Sequence, residues 1–110
     1  MIGIVLAATW LTGVSGLARA DGASALDGAQ LFVTKTCFAC HGQDAKTPIL
    51  PDYPRLAGQN EAYLLRQLKD IKARKRTNGN APVMEAILFM VNEEEMKVLV
   101  KYVSGLDPSR

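Results

Sequence analysis

Two thiols and an imidazole fall within five residues, Cys37-Phe38-Ala39-Cys40-His41, and they are the chain's only cysteines and its only histidine. Cysteines this close can form a disulfide, hold a metal or accept a cofactor. A thioredoxin-like dithiol belongs at a helix start among alternating strands and helices, and this chain shows no such alternation. A zinc site needs four ligands of cysteine, histidine or carboxylate type, and no second cluster completes the set. Neither alternative uses all three residues. Covalent haem attachment does: two thiols one helical turn apart add to two vinyl groups on one edge of a porphyrin, and the adjacent imidazole is presented to the iron. The motif therefore predicts one haem c, with Cys37 and Cys40 as covalent anchors and His41 as an iron ligand. A redox disulfide and a partial metal site remain the alternatives.

The chain of 110 residues is long enough for one domain. Its 13 Lys+Arg against 11 Asp+Glu argue against a dedicated nucleic-acid binder, and 22% charged with 48% hydrophobic residues against a disordered chain. Residues 1–20 read as a secretory signal. An apolar run from Ile2 to Val14 leads to Ser15, Gly16 and the small-x-small site Ala18-Arg19-Ala20, although the segment before the run carries no Lys or Arg. A membrane anchor is the rival. The run is short for a spanning helix and is interrupted by Gly3, Gly13 and Gly16. The expected organisation is a signal peptide over 1–20 and one domain over 21–110, exported to the periplasm, with no later segment long enough to cross a bilayer. The single Trp, Trp10, falls in the signal, leaving three Phe and three Tyr as the large rings of a small domain. Something besides side chains is expected to fill its core.

The elements that must position the motif read as all-α and loop-rich. Asp27 caps a helix through about Thr34 that runs directly into the cysteine pair. Pro48, Pro51, Pro54 and Gly58 make most of 43–59 a long loop. Asn60 caps a stronger helix to about Lys75, with Leu64, Leu68 and Ile71 on one face. After a break at 77–81, a short helix is expected from about Pro82 to Val91. Asn92 and Glu95 make a capping-box start for a last helix, whose Met96, Leu99, Val100 and Val103 form an apolar stripe.

With those segments in order, the chain resembles the monohaem class I c-type cytochromes of bacteria, especially their c553-like and c4-like members. The likeness is carried by GAQLFVTKTCFACHG from Gly28 to Gly42, by YPRLAGQNEAYLLRQL from Tyr53 and by VLVKYVSGL from Val98. It implies a small all-α class I cytochrome c fold wrapped around one covalent haem, with the first and last helices crossing at Gly28 and Phe32 against Leu99 and Tyr102. It further implies that the Pro54 carbonyl accepts the second ring N–H of His41 and that Leu56 packs on the porphyrin. Met84, just after the break, matches the family's second iron ligand. Met90 and Met96 fall at helical spacings that suit packing.

Iron ligated by His41 and Met84 would have no open position for substrate, so the expected function is a one-electron carrier exchanging with redox partner proteins rather than an enzyme. A haem subunit of a larger oxidoreductase, or a gas sensor with a labile sixth ligand, is the alternative. Lys69, Lys72, Arg74, Lys75 and Arg76 put five cations at a helix end, as a solvated terminus favoured by the macrodipole or as a docking patch for an acidic partner. Arg55, Gln59, Tyr63 and Asn78 are placed either at the haem propionates or ligand Met, or as loop and surface residues.

Overall fold

Among the residues that the computed structural model describes, 3–5, 7–9 and 26–109, five helices follow one another. They are α1 (Gly28–Thr34), α2 (Cys37–His41), α3 (Glu61–Lys72), α4 (Ala81–Leu88) and α5 (Glu93–Ser104), with no strand among the described residues. The expected signal cleavage site at 18–20 lies outside the described residues.

Helix starts follow local chemistry. Asp27 Oδ1 accepts the Ala29 and Gln30 N–H groups at 2.9 and 3.3 Å, and Asn60 Oδ1 accepts that of Tyr63 at 2.9 Å. At α5 the capping box closes both ways: Glu95 N–H donates to Asn92 Oδ1 at 2.8 Å, and Asn92 N–H to Glu95 Oε1 at 3.0 Å.

Helix α1 ends at Thr34 as expected, whereas its junction with α2 and the ends of α3 and α4 depart from the sequence expectation. The chain does not run straight from α1 into the cysteines, because Thr36 adopts a left-handed backbone (φ 62°) and turns a corner before α2 begins. A β-branched residue is disfavoured there, so the surrounding structure must hold it. Helix α3 stops at Lys72 rather than near Lys75. Arg74 is left-handed (φ 59°), its N–H bonds the Ile71 carbonyl at 3.1 Å, and the Lys75 N–H bonds that of Asp70 at 2.8 Å, a Schellman ending without glycine. Helix α4 ends at Leu88 instead of Val91. The N–H groups of Met90 and Val91 bond carbonyls three residues back, at 3.1 and 3.0 Å, and this tight turn leads into the α5 cap.

The long loop is held by backbone bonds. Leu56 and Ala57 N–H groups both donate to the carbonyl of buried Ala45, at 2.7 and 3.0 Å. Gly42 releases the chain from α2 at φ 85°, where a Cβ would lie 2.3 Å from the Thr47 oxygen, so only glycine fits.

Helices α1 and α5 cross as the resemblance implied. A Cβ on Gly28 would stand 2.4 Å from Tyr102 Cβ, and the Phe32 and Tyr102 rings lie 5.8 Å apart at 56°. Phe32, Leu88, Val91, Met96, Val100 and Val103 are buried around this crossing. Most of the basic run ties α3 to its neighbours: Lys69 pairs with Glu93 at 2.8 Å, Arg74 with Glu85 at 2.6 Å, and Lys72 Nζ donates to the Val91 carbonyl.

Candidate functional site

The single turn of α2 carries all three chemical groups of the motif. Cys37 and Cys40 are free thiols, both partly buried, and His41 is buried at 7% exposure. His41 Nδ1 lies 2.9 Å from the Pro54 carbonyl oxygen. A carbonyl only accepts, so Nδ1 carries the proton and donates, and Nε2 keeps its lone pair for a Lewis acid. Burial pushes the imidazole pKa down, with the Pro54 bond opposing, which favours the neutral, ligating form.

A cleft opens beside α2. Its inner part, about 470 Å³, is bordered by Cys37, His41, Leu56, Met84, Leu99 and Val100. Its outer part, about 1000 Å³, shares His41, Leu56 and Met84 and adds Cys40 and Pro54, and both parts open to solvent. The two thiols and the imidazole of α2, the proline loop and the start of α4 therefore meet at one slot.

The methionines separate clearly. Met84 borders both parts of the cleft, Met96 is buried in the core at 2% exposure, and Met90 is 59% exposed. Met90 does not pack as its spacing suggested, because α4 ends before it and the turn carries it outward.

The alternatives for the thiols lose support. Burial raises the Cys37 thiol to about 11, so it is not the low-pKa nucleophile of a dithiol redox site. No group of three or more His, Cys, Asp or Glu with metal-site geometry occurs among the described residues.

Of the residues whose role the sequence left open, Gln59 and Tyr63 border the outer cleft. Arg55 reaches away to the Pro108 carbonyl at 3.0 Å, and the Asn78 carbonyl accepts the Ala81 N–H at 3.1 Å as part of the α4 start. Sequence reasoning missed Asp52, Gln67, Arg76 and Asn80 at the cleft mouth. One signal was available: Gln67 interrupts the apolar face of α3 between Leu64 and Ile71.

A helical fold that presents CxxCH at an apolar slot, with a neutral imidazole and a thioether on its border, is that of a haem-attaching protein. The cytochrome c family profile matches residues 25–107, and the chain belongs to that family. It is 40% identical over 90 residues to cytochrome c4 of Pseudomonas aeruginosa, covering 82% of this chain and 41% of that protein. It is 33% identical over 93 residues to the thiosulfate dehydrogenase electron acceptor of Stutzerimonas stutzeri, covering 78% of this chain and 42% of that protein. Among solved structures, reduced recombinant cytochrome c4 of Pseudomonas stutzeri superposes with a TM-score of 0.64 at 28% identity, over 73% of this chain and 46% of that one. The chain thus spans less than half the length of each of these relatives. The family's prosthetic group is covalently bound haem c, and the donor set here fits it: two thiols at one edge of the slot, one imidazole free at Nε2 and one thioether.

Proposed function

We propose that the chain carries one electron at a time on a single covalently attached haem c, anchored by Cys37 and Cys40, ligated by His41 and Met84, and exchanging with redox partner proteins. When bound, the haem iron supplies the one-electron couple. The residues of the chain do the rest. His41 offers Nε2 in a fixed orientation because Pro54 holds Nδ1, and that bond raises the basicity of the ring. Met84 offers a thioether, which favours the ferrous form and a high potential. Leu56, Leu64, Leu68, Ile87 and Val100 line the cleft with apolar surface. An apolar slot disfavours the extra positive charge of the ferric form, which also raises the potential. With His41 and Met84 as ligands in both oxidation states, the site leaves no open position for a substrate and needs little rearrangement on electron exchange.

The observation that carries this reading is that His41 and Met84 border one cleft, whereas Met90 and Met96 do not. Exposed Ala39 and half-buried Phe38, next to the anchoring cysteines, suit the rim where a partner's redox centre approaches. No helix among the described residues is long and apolar enough to cross a membrane. The apolar run ending at Ala18-Arg19-Ala20 supports export to the periplasm with cleavage before Asp21, which N-terminal sequencing of the exported protein tests.

The visible spectrum of the exported protein, oxidised and reduced, tests the site. The expected result is c-type haem bands together with the weak sulfur-to-iron charge-transfer band, and no carbon monoxide adduct in the ferrous protein. Haem without the sulfur band, or a ready carbon monoxide adduct, overturns the closed His/Met site. Absence of covalent haem after expression with a working attachment system overturns the assignment altogether.

A further inference from the structure

The segment after α5 returns to the loop that holds His41. Arg55 Nη2 donates to the Pro108 carbonyl at 3.0 Å, Lys46 Nζ donates to that of Ser109, and the Gly58 N–H donates to the Val103 carbonyl at 2.9 Å. A Cβ on Gly58, whose φ is 75°, would lie 2.8, 2.9 and 3.0 Å from three ring atoms of Pro108, so that ring rests directly on the loop backbone. On the other side, the Leu56 and Ala57 N–H groups are both taken by the Ala45 carbonyl. Residues 55–58 are thus clasped between Ala45 and the end of α5 with the strap that follows it.

The clasp bears on His41 through one peptide unit. The oxygen that accepts from His41 Nδ1 at 2.9 Å belongs to the planar Pro54–Arg55 peptide, so its direction depends on where Arg55 is held. The ring of Pro54 fixes φ but not ψ, the torsion that swings this carbonyl. Arg55 is half-buried and does not border the cleft, and its guanidinium is turned to a neutral backbone carbonyl. Its contact with the strap is therefore anchorage of the peptide it shares with Pro54. We propose that Arg55 and Pro108 are positioning residues for the His41 ligand: pinning this peptide keeps the Nδ1–H bond closed and the ring basic, which favours the ferric form and holds the reduction potential down. The proposal rests on the ligation by His41 proposed above.

Nitrogen-15 NMR of the ferrous, haem-loaded full chain reads the bond as the hydrogen-exchange rate of His41 Nδ1–H, taken as a ratio to that of the Val100 N–H in α5. A general loss of stability speeds both together, whereas local release of the loop speeds only the first. Arg55→Met, which keeps the stem and loses the donors, and Pro108→Gly, which removes the ring, are each expected to raise the ratio at least fivefold. Arg55→Lys restores a donor and should keep the ratio within twofold of the parent's, and Gly28→Ala, which disturbs the fold elsewhere, should leave it unchanged. Pro108→Gly alters no charge, so its potential should rise, with the oxidised-to-reduced ratio at fixed ambient potential falling at least twofold, about 18 mV at 59 mV per tenfold for one electron. An exchange ratio equal to the parent's in Arg55→Met or Pro108→Gly, an equal rise in Arg55→Lys or Gly28→Ala, or an unmoved or lowered potential in Pro108→Gly overturns the proposal. If Arg55→Met does not accumulate with haem, Pro108→Gly, at an exposed position, carries both readouts. The c-type bands are recorded on the same samples, so failure of the haem reading shows as missing bands rather than as unchanged exchange.

Discussion

Replacing Gly28 by Ala should loosen the crossing of α1 and α5. The added Cβ would stand 2.4 Å from Tyr102 Cβ and 3.0 Å from the Val98 carbonyl oxygen. Ordinary carbon contacts are roughly 3.5–4.0 Å, so the first approach is short by about 1 Å. Neither neighbour can swing aside, since one is a backbone atom and the other is bonded directly to the backbone. Relief therefore requires the two helices to separate, which also disturbs the Phe32–Tyr102 ring contact. Overpacking of this kind costs about 1–3 kcal/mol. Alanine's better helix propensity returns at most about 1 kcal/mol, and less at the first helical position. The net loss is about 1–2 kcal/mol, a fall in Tm of roughly 4–16 °C for a domain of this size. Thermal unfolding of the haem-loaded protein, followed by circular dichroism, measures it. An unchanged or raised Tm would refute the close approach of the two backbones.

Three further outcomes follow from the same geometry. Met84→Leu should abolish the sulfur-to-iron band, whereas Met90→Leu and Met96→Leu keep it; Met96→Ala instead costs about 2–5 kcal/mol in a denaturant titration, because Met96 is buried at 2% exposure. Thr36→Gly should stabilise the protein by about 1 kcal/mol by relieving a left-handed β-branched residue, and a lower Tm would show that the corner is held differently. The Glu95 carboxylate is held below its ordinary 4.5 by the Asn92 N–H, with Lys35 adding to the effect. A depressed folded-state pKa contributes stability above the unfolded value and loses it as the pH falls through the folded value. Glu95→Gln should therefore flatten the decline in stability below about pH 4.5, and equal pH dependence in both proteins would exclude Glu95 as a contributor.

The chemistry of this chain was legible in the sequence because it is local. Cys37, Cys40 and His41 lie within one helical turn, so their spacing alone places them together, and no distant contact is needed to read the motif. Helix starts were legible for the same reason: Asp27, Asn60 and the Asn92/Glu95 box each act on N–H groups within three residues. The ends of α3 and α4 were not. Thr36 and Arg74 adopt left-handed backbone that their residue types disfavour, so no local preference announces the stops that the packed chain imposes. The methionines show the same division. Met90 and Met96 occur at spacings that suit a helix face and Met84 follows the break, but only the folded chain brings Met84 to the border of the cleft with His41, buries Met96 and turns Met90 outward.

Charge required tertiary structure most of all. Lys69, Lys72, Arg74, Lys75 and Arg76 read as one basic run. Three of them meet partners 11 to 24 residues further along the chain, Glu93, the Val91 carbonyl and Glu85, whereas Arg76 is turned to Gln67 at the mouth of the cleft. Sequence determined which groups this protein has and which lie within one turn of each other, because backbone geometry sets those distances. The tertiary structure decided which charges are neutralised, which methionine faces the imidazole's cleft and which end of that cleft is polar, because those depend on helices meeting side by side.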